Sequence, residues 1–127
     1  KSIKEKDDIW CYSQAQYNLG KLEKSRANLQ KAEEYWQVIQ KDWNEKSFAW
    51  AQLQLGMLAE SDHEKARNYW NNIEQDWSLE VYAWAQLYLG NLAYANHQPE
   101  DAHRYWASIQ EEWSEECFAK AQAQLQK

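Results

Sequence analysis

Ser47-Phe48-Ala49-Trp50-Ala51-Gln52-Leu53-Gln54-Leu55-Gly56 decides how the chain reads, because it returns as Val81-Tyr82-Ala83-Trp84-Ala85-Gln86-Leu87-Tyr88-Leu89-Gly90. A weaker copy precedes both, Cys11-Tyr12-Ser13-Gln14-Ala15-Gln16-Tyr17-Asn18-Leu19-Gly20, and a truncated one closes the chain from Cys117 to Gln126. Between the copies a second piece recurs: Ala32 with Tyr35-Trp36, Ala66 with Tyr69-Trp70, and Ala102 with Tyr105-Trp106. A period of 34 to 36 residues marks a repeat architecture, in which each unit buries its apolar face only against its neighbours.

Inside each copy the apolar residues fall at three- and four-residue steps, the helical interval. In the first copy they are Ile9, Tyr12, Ala15, Leu19 and Leu22. This predicts a helix from Asp7-Asp8, whose carboxylates suit a helix N-terminus, to about Ser25. Asn28, Asn44, Asp62, Ser78 and Ser114 are predicted N-caps, and Pro99 falls in a first turn, where its missing N–H costs nothing. The second helices are expected to bury Ala32, Trp36, Ile39 and Trp43, then Ala66, Trp70, Ile73 and Trp77, then Ala102, Trp106, Ile109 and Trp113. The expectation is all-α, seven helices and no strands. Residues 1–7 read as a solvated tail and 8–127 as a single domain, with repeats at 8–43, 44–77 and 78–113 and a closing helix at 114–127.

Spacing shows where the repeat tolerates change. Gly20 to Ala32 and Gly90 to Ala102 are 12 residues, Gly56 to Ala66 is 10, while Ala32 to Gly56 and Ala66 to Gly90 are both 24. Length varies inside the pair, where a longer turn is solvated cheaply, and is fixed between pairs, where it sets the stacking. Gly20, Gly56 and Gly90 sit inside helices at a cost of about 1 kcal/mol each against Ala. Such glycines imply that another helix approaches the backbone closely, with Ala32, Ala66 and Ala102 as the small partners.

Composition narrows the function. Nine Trp and eight Tyr exclude a disordered chain despite 27% charged residues. A net charge of −6 argues against a nucleic-acid backbone as partner. No apolar run approaches the roughly 20 residues that span a bilayer. Because the chain starts at Lys1 and not at Met, processing or trimming of a longer chain is expected, which leaves export open. Cys11 and Cys117 hold the same repeat position in the first and last copies. In a stack of packed helices such positions lie roughly 20 Å or more apart, too far for a disulfide. Reduced thiols and a cytoplasmic location follow as expectations.

The Leu-Gly pair of each first helix, followed by Ala and an aromatic four residues later in the second, resembles the tetratricopeptide repeat. Ala15-Gln16-Tyr17-Asn18-Leu19-Gly20 is similar to the related Sel1-like repeat, and the resemblance covers about residues 8 to 127. It departs at Gln16, Gln52 and Gln86, where the family usually has a large aromatic. It departs again at Asn44, Ser78 and Ser114, where the family has proline. The resemblance implies a right-handed α-solenoid of antiparallel helix pairs, a scaffold that binds a protein or peptide on a concave face lined by the first helices. The positions matching that face are Tyr17, Lys21, Trp50, Leu53, Met57, Trp84, Leu87, Asn91 and Tyr94.

An apolar floor with lysines at its ends suits an amphipathic helix or an apolar-anchored acidic segment, and Trp is favoured at binding hot spots. The competing reading is packing. Trp50 follows Trp43 by seven residues and Trp84 follows Trp77 likewise, so each pair can stack across a junction. A small acidic inhibitor, such as an immunity protein against a basic toxin, a chaperone for one basic partner, and a self-associating homodimer or structural repeat are the alternatives. No Gly-rich phosphate loop, no helical i, i+4 histidine pair and no Cys-His neighbour occurs. No enzyme, cofactor or metal site is expected.

Overall fold

The computed structural model describes residues 3 to 126 apart from Glu60, with side chains described from Asp8 onward. Among the described residues there are seven α-helices and no strands: α1 (Ile3–Ser25), α2 (Leu29–Val38), α3 (Glu45–Leu58), α4 (His63–Asn71), α5 (Leu79–Ala95), α6 (Pro99–Ala107) and α7 (Glu115–Leu125).

Side-chain caps start four of them. Asn44, Asp62, Ser78 and Ser114 accept hydrogen bonds from the backbone N–H groups of Ser47, Lys65, Val81 and Cys117 at 3.1–3.3 Å. Each such cap contributes about 1 kcal/mol over Ala. Asn28 stands in front of α2 without a side-chain cap bond, and Pro99 opens α6.

Two expectations about boundaries need correction. First, α1 begins at Ile3, so residues 3–7 of the expected solvated tail are helical. Lys1 and Ser2 of that expected tail, and Lys127 at the end of the closing helix, lie outside the described residues. Second, the even helices are short. α2 stops at Val38 because Ile39 turns extended (ψ 126°), and Trp43, Trp77 and Trp113 lie in the turns that follow α2, α4 and α6. Ile39, Ile73 and Ile109 still point inward, 2–3% exposed. The 24 residues between Ala32 and Gly56 are therefore half a helix, a tight turn and most of the next helix.

Each pair is locked by one tryptophan. Trp36, Trp70 and Trp106 are at most 4% exposed, and their indoles lie across the missing side chains of Gly20, Gly56 and Gly90. A Cβ at Gly56 would sit 2.7 Å from Cδ1 and Cε2 of Trp70, far inside van der Waals contact. The atoms nearest each missing side chain thus belong to an indole and not to the expected alanine. Cβ atoms tilt toward a helix's N-terminus, so their absence also opens the carbonyl three residues earlier. Trp36 Nε1 donates to the Tyr17 carbonyl and Trp70 Nε1 to the Leu53 carbonyl, both at 3.1 Å. Trp106 Nε1 is buried and finds no hydrogen-bond partner among the described residues.

Length variation sits in the turns inside the pairs, as the spacing requires. After α1 and α5 the chain closes a Schellman turn. Asn28 N–H bonds the Glu23 carbonyl at 2.8 Å and Gln98 N–H bonds the Ala93 carbonyl at 2.9 Å. Ala27 (φ 64°) and His97 (φ 62°) hold the left-handed position where glycine is favoured. The turn after α3 is two residues shorter by the sequence spacing.

Contacts run between chain neighbours and between consecutive odd helices. α1 touches α3, α3 touches α5 and α5 touches α7, whereas among the described residues the backbones of α2 and α4, and of α4 and α6, stay more than 8 Å apart between Cα atoms. The buried residues form three successive clusters. One centres on Trp36 with Ala51 and Leu55, one on Trp70 with Val81, Ala85 and Leu89, and one on Trp106 with Cys117 and Ala121. Each second-helix tryptophan is therefore cored against the next odd helix as well as its own.

Two stability predictions follow. Gly56→Leu should destabilise by more than about 2 kcal/mol in urea unfolding, since overpacking against Trp70 leaves no room to relax; an unchanged midpoint would contradict the indole contact. Ala27→Gly should raise stability by roughly 0.5–1 kcal/mol, because the left-handed conformation costs an L side chain about 1–2 kcal/mol and glycine gives back part of that in chain entropy.

Candidate functional site

The expected binding positions lie on α1, α3 and α5, three of the odd helices that touch in series. Tyr17 is half-buried on α1, with its ring centroid 6.4 Å from that of Trp50 on α3. Gln54 Nε2 donates to the Tyr17 hydroxyl at 3.5 Å, and Lys24 Nζ donates to Gln54 Oε1 at 3.0 Å. Burial pushes the Tyr17 phenol above its usual pKa, with the Gln54 bond opposing. It is a neutral hydroxyl at any physiological pH. Lys21 Nζ stands 5.6 Å from the Tyr17 ring centroid, a cation–π distance.

At the other end, Trp84 lies 5.8 Å from Tyr88, and Lys120 Nζ stands 5.6 Å from the Trp84 ring. Lys120 also approaches the Glu116 carboxylate at 3.7 Å. Trp50, Met57 and Trp84 are half-buried, packing against the Trp70-centred core with one side. Asn91 is exposed, and Tyr94 is 60% exposed with its ring 5.9 Å from Trp106. Tyr17 with Trp50 and Trp84 with Tyr88 are two ring pairs on successive odd helices, with Lys21 beside Tyr17 and Lys120 beside Trp84.

Leu53 and Leu87 do not belong to such a surface. They are 2% and 3% exposed, sealed in the cores around Trp70 and Trp106. Their positions match those of the resembled family's concave face, but here the bulky indole of the second helix draws the first helix over them. The turn tryptophans also find partners other than Trp50 and Trp84. Trp43 meets Tyr12 edge-on at 5.6 Å, Trp77 meets Phe48 at 5.2 Å and Trp113 meets Tyr82 at 5.3 Å. This repeated edge-on pair ties each inter-pair turn back to the first helix of its own repeat.

Trp10 went unmarked in the sequence reading and is 48% exposed. It lines a shallow cleft with Trp43, Trp77, Lys41 and Lys46. The signal was present: the equivalent residues of the other copies are Lys46, Glu80 and Glu116, so a tryptophan replaces a charge.

Ionisable chemistry is sparse. Among the described residues no three His, Cys, Asp or Glu side chains gather as a metal-ligating group. His63 Nδ1 pairs with Asn96 Oδ1 at 2.7 Å, and the His103 ring lies beside Trp106. Cys11 and Cys117 are both free thiols, the first exposed and the second fully buried. Burial pushes the Cys117 thiol up to about 11, helped by Glu116 and Glu80 and opposed by the Ser114 hydrogen bond and Lys120. Among the described residues no helix is long and apolar enough to cross a membrane. Comparison with family models, with curated proteins and with solved structures gives no match.

The Cys117 thiol predicts a pH effect of definite sign. Its folded-state pKa exceeds the ordinary value of 9.0, so its contribution to stability is complete below pH 9 and lost as pH rises through about 11. Cys117→Val, which copies the buried Val81 of the third repeat, should flatten that part of the alkaline stability profile. A profile identical to the unsubstituted protein would contradict the assignment.

Proposed function

We propose that the protein is a non-enzymatic protein-interaction module, a right-handed solenoid of antiparallel helix pairs of the tetratricopeptide type. In this reading it works in the cytoplasm and holds an apolar helical or peptide segment of a partner across its odd helices. The observation that carries the proposal is the row of aromatic residues on successive odd helices, Tyr17, Trp50 and Trp84, each half-buried, with Lys21 and Lys120 each 5.6 Å from the Tyr17 and Trp84 rings respectively. Met57, Asn91 and Tyr94 extend this surface; Leu53 and Leu87 support it from beneath.

The chemistry selects the partner. Rings that already rest on a core lose little side-chain entropy on binding, and a half-exposed indole offers a large apolar face. A helix presenting apolar residues at i, i+3, i+4 and i+7 would lie along that row. Acidic residues near its ends would meet Lys21 and Lys120. Such rim charges tune association rate and register more than affinity.

The test is capture of partners from host lysate by the wild-type chain and by a Trp50→Ala, Trp84→Ala double variant shown to be folded, followed by titration of the captured partner. The proposal expects a partner lost with the variant, its Kd weakened at least about 100-fold, equivalent to roughly 2.7 kcal/mol. Equal capture by both proteins would contradict it.

A further inference from the structure

One face of α1 has no partner among the described residues. Asp8, Cys11, Ala15, Leu19 and Leu22, with Arg26 in the turn just past its end, follow one another at steps of three and four, and all six are exposed. Leu19 and Leu22 are 38% and 45% exposed. In the other odd helices the same register is buried: Ser47, Ala51 and Leu55 on α3, Val81, Ala85 and Leu89 on α5, Cys117 and Ala121 on α7. On α3, Ala51 and Leu55 lie in the cluster with Ala32, Trp36 and Ile39 of the preceding helix. The α1 face therefore has the composition of a helix–helix contact, and no element among the described residues covers it.

The order of residues along this face identifies what fits it. Turned antiparallel about a point near residue 17, the face is complementary to itself. Asp8 then stands opposite Arg26 of the second copy, Cys11 opposite Leu22, and Ala15 opposite Leu19. Each acid meets a base, each small side chain meets a leucine, and the helix dipoles oppose. Parallel pairing would set Asp8 on Asp8 and leucine on leucine. The stripe from residue 8 to 26 is about 27 Å long at 1.5 Å per residue, five turns of contact. The Arg26 side chain is 64% exposed and stands 3.8 Å from the Glu23 carboxylate of its own chain.

We propose that α1 pairs antiparallel with α1 of a second copy, forming a two-fold symmetric homodimer through Cys11, Ala15, Leu19 and Leu22. Such an isologous contact closes on itself and needs no further subunit. It also leaves the aromatic row on the odd helices free, so the dimer would present two such rows.

Sedimentation equilibrium of the whole chain tests this, with mass followed against concentration. The expected result is a reversible species of twice the 15.2 kDa chain mass. Leu19→Glu should weaken its dissociation constant at least tenfold with the helical circular dichroism unchanged. Trp50→Ala with Trp84→Ala should leave it intact. A wild-type monomer at every concentration up to about 1 mM, or a dimer indifferent to Leu19→Glu, would overturn the proposal. Orientation is read separately by mild oxidation. Cys11 residues in the proposed dimer stand roughly 17 Å apart along the helices, so the wild type should not cross-link, whereas Leu22→Cys should yield a covalent dimer through Cys11. A Cys11 to Cys11 bridge in the wild type would overturn the antiparallel register.

Discussion

The fold depends on an indole laid over a glycine. Trp36, Trp70 and Trp106 each cross the first helix of their own pair where a side chain is missing, and a methyl group there would overlap the ring. A mid-helix glycine costs about 1 kcal/mol. Burying an indole contributes more, because a large aromatic removes some 150–250 Å² from water. In two of the three pairs the indole N–H also reaches a carbonyl that glycine leaves open. The contact sets the distance between paired helices, and that distance places the same tryptophan against the next odd helix. Pairing and stacking are thus one interaction used twice.

From this constraint the character of the surface follows. A second helix anchored by Trp70 pulls Leu53 into the core, leaving Trp50 and Met57 half-covered at its margin. The third pair repeats this with Trp106, Leu87 and Trp84. The rings that remain are held from below yet open above, which is the state a binding surface needs and also the state of ordinary margin residues. Only the charged ends, Lys21 over Tyr17 and Lys120 over Trp84, give the row a direction.

Much of the architecture was legible because it was written several times. The caps Asn44, Asp62, Ser78 and Ser114 each stand just before an apolar stripe, and each makes its predicted bond. The partner of the glycines was harder to read. A small residue in a helix announces a close approach but not what approaches, and Ala32 was as plausible from spacing as Trp36. The end of the second helices was equally hidden, since Ile39 and Trp43 continue a helical period although the backbone has already turned extended at Ile39. For the surface, periodicity assigned Leu53 and Trp50 to one stripe. Side-chain size separated them, because the larger ring cannot fit beneath the indole of Trp70. Ala15, Leu19 and Leu22 fall on the apolar stripe of α1 yet are exposed, although Ala51 and Leu55, and Ala85, Leu89 and Leu92, are buried at the same register.

The central claim is that each glycine exists to receive an indole, and a double-mutant cycle on the middle pair tests it most directly. Urea unfolding would be compared for wild type, Gly56→Ala, Trp70→Leu and the double variant. If the account is right, Gly56→Ala destabilises the protein while Trp70 is present. Once Trp70→Leu has removed the ring, the same change becomes neutral or stabilising by up to about 1 kcal/mol through helix propensity. Equal effects of Gly56→Ala in both backgrounds would contradict it, since the glycine would then be answering to something other than the tryptophan.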